Sequence, residues 1–312
     1  MSGSSPAWSG LGVALPCIDA FGTGSPVLEV ARAAEAAGLD HVWVPDHLVF
    51  HRPVLEATVV LGAVAGATER IRLGSAILNP VLRPSPTWLA KQLATIAVLA
   101  PGRLLLGVGL GGEYEPEFRA AGIDRRERGR RLDEALAVLT PLLRGEAVEH
   151  EGLYSVTCDG LSPVPAEPPP VLIGGRSDAA LRRAARVGDA WLPMWMSPEE
   201  VAEARGRLAE LADELGRPAP GIGLVAFVNV CDDRAAGAVE AAELIERQYG
   251  MPFHVVEKWT ALGYEAEVAA FLQSYLDVGV DGFSLGIASA DQVGQVERLA
   301  AVRDELGAFA AL

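Results

Sequence analysis

A short apolar run followed by an amphipathic, alanine-rich stretch recurs eight times along the chain, and this alternation leaves few folds open. The apolar runs cover residues 11–18, 41–44, 71–78, 103–109, 171–174, 190–194, 222–230 and 282–286. Each is brief and closed by Gly, Pro or a polar residue, as strands buried on both faces are. Helical periodicity fills 26–37, 54–67, 85–99, 126–143, 178–187, 198–215, 265–278 and 290–306. Pro26, Pro86 and Pro198 lie near the predicted helix starts, where a missing N–H costs nothing. Alternating strands and helices form either an open doubly wound sheet or a closed barrel. The count of eight and the length of 312 residues favour an α/β fold of the (β/α)8 TIM-barrel class.

The spacing predicts residues 1–10 as a flexible tail and 11–312 as one barrel domain, with no composition break between domains. Three connections exceed ordinary loop length: 111–125 after strand four, 145–170 before strand five, and 231–264 after strand seven. The second contains an alternating stretch at 147–157 that predicts a small hairpin. The first and third leave the catalytic face of a barrel. The second leaves the opposite face unless it folds over the rim.

A formal charge of −15 argues against nucleic acid, whose phosphates require a basic face. A local anion pocket of backbone amides stays compatible with it. Cys17, Cys158 and Cys231 are far apart and have no metal spacing, so ordinary thiols in a reducing cytoplasm are expected. The first ten residues lack a basic-then-apolar leader pattern, and no apolar run reaches membrane-spanning length.

Barrel chemistry sits just past the carboxyl ends of the strands. Strand two ends in Trp43-Val44-Pro45-Asp46-His47, which sets an acceptor beside a group suited to acid–base work. His41 and His51 read as structural or surface residues. Strand four ends in Gly107-Val108-Gly109-Leu110-Gly111-Gly112, a literal G-x-G-x-x-G. Glu113, Glu115, Pro116 and Glu117 follow it in place of a helix start, which weakens a dinucleotide reading. Gly109 instead suggests a bulky planar ligand close to the backbone, with Glu113 as a polar contact. Strand five leads into Gly174-Gly175-Arg176-Ser177 directly before a helix, the best anion site in the chain. The alternative there is an ordinary turn with Ser177 as cap. Strand six ends in Trp191-Leu192-Pro193-Met194-Trp195-Met196, either core filling or a wall for a flat ring. The arginines at 125, 126, 128, 130 and 131 alternate with carboxylates and read as a salt-bridged helix face.

In order and spacing these segments resemble the luciferase-like monooxygenase superfamily, and within it the coenzyme F420-dependent oxidoreductases. The resemblance spans roughly residues 10 to 310. It runs through Trp43–His47, 73–80, 106–114, 127–134, 173–177 and 188–191. It implies that Asp46 contacts a deazaflavin ring and that His47 serves as acid or base. It also implies a cis peptide at Ala76–Ile77 propping the ring, Asn79 at the ring edge, and Gly174, Gly175, Arg176 and Ser177 as a phosphate loop. Where relatives carry a carboxylate after strand four, this chain has Gly112-Glu113. The implied reaction is reversible hydride transfer between F420 and a carbon of a small organic substrate, with Trp43 and Trp195 beside the substrate.

An FMN-dependent monooxygenase fed by a separate flavin reductase is the nearest alternative. A non-catalytic flavin-binding barrel is an alternative of another class. A lyase or hydrolase is disfavoured because no metal-ligand cluster or nucleophile constellation is present. We expect a cytoplasmic homodimer with no nucleic-acid or membrane partner.

Overall fold

The computed structural model describes residues 6–19, 26–112, 114–307 and 309. Eight parallel strands close into a barrel: β1 (Gly10–Ala14), β2 (His41–Val44), β3 (Arg72–Ser75), β4 (Leu104–Val108), β7 (Val171–Gly174), β8 (Ala190–Leu192), β9 (Gly221–Val230) and β11 (Gly282–Ile287). Closure comes from pairing Ala190 and Trp191 of β8 with Gly221 and Ile222 of β9. On the far side of β9, β11 pairs Gly282 with Gly223, and β1 pairs Gly10 with Gly282. The outer layer is α1 (Val27–Ala36), α2 (Ala57–Ala67), α3 (Pro86–Leu99), α5 (Arg128–Leu143), α6 (Asp178–Val187), α7 (Pro198–Glu214), α9 (Glu265–Leu276) and α10 (Gln292–Glu305). Among the described residues no helix is long and apolar enough to cross a membrane.

The three long connections carry the remaining elements. The segment after β4 holds a short helix, α4 (Glu115–Ala120), opened by Pro116. The hairpin β5 (Val148–His150) and β6 (Val156–Cys158) pairs Val148 with Cys158. Its turn reaches the mouth side, where Leu153 and Tyr154 share a hollow with Leu48 and Arg83. The segment read as one loop at 231–264 instead contains α8 (Arg234–Tyr249) and a ninth parallel strand, β10 (Thr260–Gly263), on β9. Asp233 caps α8 by accepting from the amides of Ala235 and Ala236, and Gly250 ends it at φ 65°.

Large side chains fill the barrel against glycines on neighbouring strands. Trp43 is 1% exposed and packs with Leu105, Leu172, Ala190 and Leu192. A Cβ on Gly74 would lie 2.3 Å from its ring. Beneath it, the Trp43 indole donates to His41 Nδ1 at 3.0 Å, which leaves the proton of a neutral imidazole on Nε2. That nitrogen lies 3.2 Å from the carbonyls of Trp8 and Ser9. Burial holds the His41 imidazole down to about 4, outweighing Asp40 and the two carbonyls. Trp43, placed by sequence at the substrate, is therefore the plug of the barrel. It sits on the inner face of β2 in one cluster with Ala76, Ile77 and Val225 packed against it.

Candidate active site

Asp46 and His47 leave the carboxyl end of β2 in different directions. The Asp46 side chain is 1% exposed. Its Oδ2 accepts from the Asn79 amide at 2.8 Å and from Arg83 Nη1, and its Oδ1 accepts from Arg83 Nη2 at 2.8 Å. The Asn79 side-chain amide donates to the Asp46 carbonyl at 2.8 Å. Arg83 also reaches Glu56 Oε1 at 3.0 Å. Burial opposes the Arg83 charge, but Asp46 and Glu56 outweigh it and raise the guanidinium above its ordinary value. Both Asp46 oxygens are thus engaged within the protein, and the bidentate pair fixes this loop.

His47 is oriented by a residue that the sequence reading did not single out. Its Nδ1 lies 3.2 Å from Glu117 Oε1, and the same oxygen accepts from the Leu48 amide at 2.7 Å. Glu117 is fully buried on α4. A carboxylate accepting from an amide takes its other hydrogen bond from Nδ1–H, so Nε2 is the nitrogen open to a reaction. Phe50 stacks on the imidazole at 3.8 Å between ring centroids. Pro116, which opens α4, was the available signal, since a helix starting there turns Glu117 inward.

Beyond β3 the Ala76–Ile77 peptide is cis, as the resemblance implied. A Cβ on Gly109 would lie 2.0 Å from Ile77 Cδ1, and one on Gly174 would lie 2.6 Å from it. These glycines therefore make room for Ile77, which corrects the reading that Gly109 clears space for a ligand. Asn79 Oδ1 is buried without a partner, and Gly111 lies beside it, where an added Cβ would be 3.7 Å away. Glu113, the expected polar contact, lies outside the described residues.

The turn from β7 into α6 has Gly175 at φ 115° and Ser177 as N-cap, its hydroxyl accepting from Ala180 N. The Trp191 indole donates to the Gly175 carbonyl at 2.7 Å. Arg176 stays exposed and donates to the Trp195 carbonyl at 3.1 Å. Trp195 takes φ 56° and packs beside Tyr249 and Phe227, with its indole N–H buried and unpaired.

At the mouth the ends of β1, β2, β3, β8, β9 and β11 enclose a slot of about 100 Å³, with Asp46, His47, Asn79 and the Gly175–Ser177 turn outside its lining. Ala14, Pro45, Ala76, Val225 and Ser284 form its inner wall, and Gln248 and Tyr249 bring the end of α8 onto it. Tyr249 meets Phe50, Phe227 and Trp195 at ring distances of 5.7, 5.6 and 6.0 Å. His47 and Phe50 do not line the slot themselves; His47 joins it through Phe50, which stacks on the imidazole and meets Tyr249. Hollows of 360–440 Å³ elsewhere lie against the outer helices, at the amino end or beside the hairpin turn.

The family model for luciferase-like monooxygenases matches residues 13–308. The chain belongs to that family. This luciferase-like protein is an oxidoreductase of the family's type. It is 30% identical over 302 residues to an F420-dependent hydroxymycolic acid dehydrogenase of Mycobacterium tuberculosis, covering 89% of this chain and 83% of the relative. An F420-dependent glucose-6-phosphate dehydrogenase of Kineococcus radiotolerans is 29% identical over 283 residues, 80% of this chain and 83% of its own. Two solved structures share the fold of the luciferase-like chain at 21% identity. An F420-dependent secondary alcohol dehydrogenase bound to an F420–acetone adduct has a TM-score of 0.84, with 96% and 99% of the two chains covered. A monooxygenase of Streptomyces bottropensis has a TM-score of 0.81, with 94% and 98% covered.

Proposed function

We propose that this luciferase-like enzyme uses coenzyme F420 and acts on a small organic molecule, with His47 handling the proton. The observation that carries the reading is the His47–Glu117 pair beside an apolar slot at the strand ends. The residues present fit a deazaflavin. Pro45, Ala76 and Val225 supply apolar wall, and the unpartnered Asn79 oxygen supplies a polar edge. The opening of α6, with Gly175, Arg176 and Ser177, supplies amides and a cation for a phosphate. When bound, a deazaflavin supplies hydride exchange with a carbon centre.

The chain's own part is orientation and proton control. Glu117 fixes the His47 tautomer so that Nε2 gives or takes the proton, and Arg83 keeps the Asp46 loop in register beside it. Phe50, Tyr249 and Trp195 keep water from the reacting atoms. A slot of about 100 Å³ falls below the roughly 300–1,000 Å³ common for ligand pockets. Tyr249 therefore swings aside to admit a ring. The reading includes a homodimer seated on α2 and α3. The α2 sequence has no charged residue, and Val59, Trp88 and Leu99 are 69%, 65% and 68% exposed.

Separate fluorescence titrations with F420 and with FMN test the cofactor. Saturable binding of F420 is expected. Binding of FMN alone would overturn this reading in favour of a monooxygenase fed by a reductase, and binding of neither removes the cofactor reading.

A further inference from the structure

The slot's chemistry narrows what can react there. Its described lining residues are all uncharged: aliphatic, aromatic, Ser284, and the glutamines Gln248 and Gln292. The guanidinium groups around it are committed elsewhere. Arg83 holds Asp46 and Glu56, while Arg52 and Arg247 both hold Asp19 at the rim, at 2.9 and 2.8 Å. Arg176, at the α6 turn, belongs to the proposed phosphate site of the cofactor. A phosphate or carboxylate entering the slot would give up its hydration for no opposite charge, which is strongly unfavourable. A neutral molecule meets no such penalty.

Ser284 adds a polar point to the inner wall. It lies on β11 opposite Gly12 of β1 and Val225 of β9, is 1% exposed, and its hydroxyl has no hydrogen-bond partner. Unpaired buried hydroxyls are rare because they forgo hydration without compensation. We propose that the slot, once Tyr249 has swung aside to admit the deazaflavin ring against Ala76, also takes beside that ring a small uncharged alcohol or carbonyl compound, not a phosphate ester or an acid, and that Ser284 hydrogen-bonds its oxygen. This assignment of substrate class rests on the oxidoreductase reading above. It also separates this chain from the sugar-phosphate dehydrogenase to which it is similar.

Saturation-transfer NMR on the protein, alone and saturated with F420, tests it with 2-pentanone and glucose 6-phosphate as probes. Transfer to 2-pentanone and none to glucose 6-phosphate is expected. Ser284→Ala should weaken 2-pentanone binding roughly 2- to 10-fold, the range for one lost hydrogen bond, while leaving F420 affinity unchanged. Because the hydroxyl is unpaired in the free protein, the same variant should melt no lower than the parent. A lower melting temperature shows a structural role and overturns the assignment of Ser284. Weakened F420 binding places the hydroxyl on the cofactor and overturns it too. Transfer to glucose 6-phosphate overturns the substrate class, whereas failure of F420 itself to bind is read in the titration and strikes the cofactor reading alone.

Discussion

Glu117 has no solvent exposure, yet it serves two donors, the His47 ring and the Leu48 amide. Removing either partner therefore has separable effects. His47→Ala is expected to leave F420 affinity nearly intact and to lower turnover roughly 100- to 10,000-fold, the usual range for one acid–base group. Lost binding with normal turnover of the bound fraction would reassign His47 to the cofactor. Glu117→Ala should also lower turnover, and it should cost about 1–3 kcal/mol of stability because the His47 ring and the Leu48 amide both lose their acceptor and the fully buried Glu117 site is emptied. Urea unfolding of that variant checks the second effect. Gly109 supplies a steric test. Gly109→Ala places a methyl against Ile77 and should destabilise by about 1–3 kcal/mol. Adding Ile77→Ala should recover part of that loss, because the two side chains compete for one space. Additive losses in the double variant would show that Ile77 is not what Gly109 accommodates.

Elements decide who reaches the mouth. The end of α8 lays Tyr249 over the slot, between Phe50 and Trp195. Tyr249→Ala is expected to speed F420 association in stopped-flow fluorescence. It should also weaken equilibrium binding by up to about tenfold, for ~0.5–1.5 kcal/mol of lost aromatic contact. An unchanged association rate would show that the ring enters without displacing α8. On the outer layer, Val59 of α2 and Trp88 of α3 stand exposed on helices whose other faces are packed. Light scattering is expected to give about twice the 32.8 kDa chain mass, and Val59→Arg should shift it to a single chain. A wild-type mass of one chain rejects the homodimer.

His41, buried beneath the Trp43 plug at the amino end of β2, ties the stability of the barrel to pH. The folded-state value of about 4 lies below the imidazole's ordinary value of 6.5, so the unfolded chain takes up the proton first as pH falls. The contribution is complete above about pH 6.5 and is lost toward pH 4, with about 2 kcal/mol gone by pH 5. Urea unfolding of His41→Gln at pH 7.5 and pH 5 should show a correspondingly smaller pH dependence, and an undiminished one would place its source elsewhere. Eight apolar runs, spaced for strand and helix, were enough to specify a barrel and to place Asp46, His47 and the Gly174–Ser177 turn at strand ends, because periodicity and burial are local properties. The α8 signals, Asp233 and Gly250, were equally local but sat in a stretch whose polar outer face resembled a loop. Other assignments needed the closed fold. Trp43 became core and Gly109 a seat for Ile77, since facing across a barrel depends on strand tilt and neighbour size. Glu117 became the partner of His47, and Arg83 engaged both oxygens of Asp46, because those pairs join residues 70 and 37 positions apart. The sequence alone determined the barrel and which residues stand at the carboxyl ends of its strands. Only tertiary packing decided which side chains stay free to react, since that depends on which distant groups have already met.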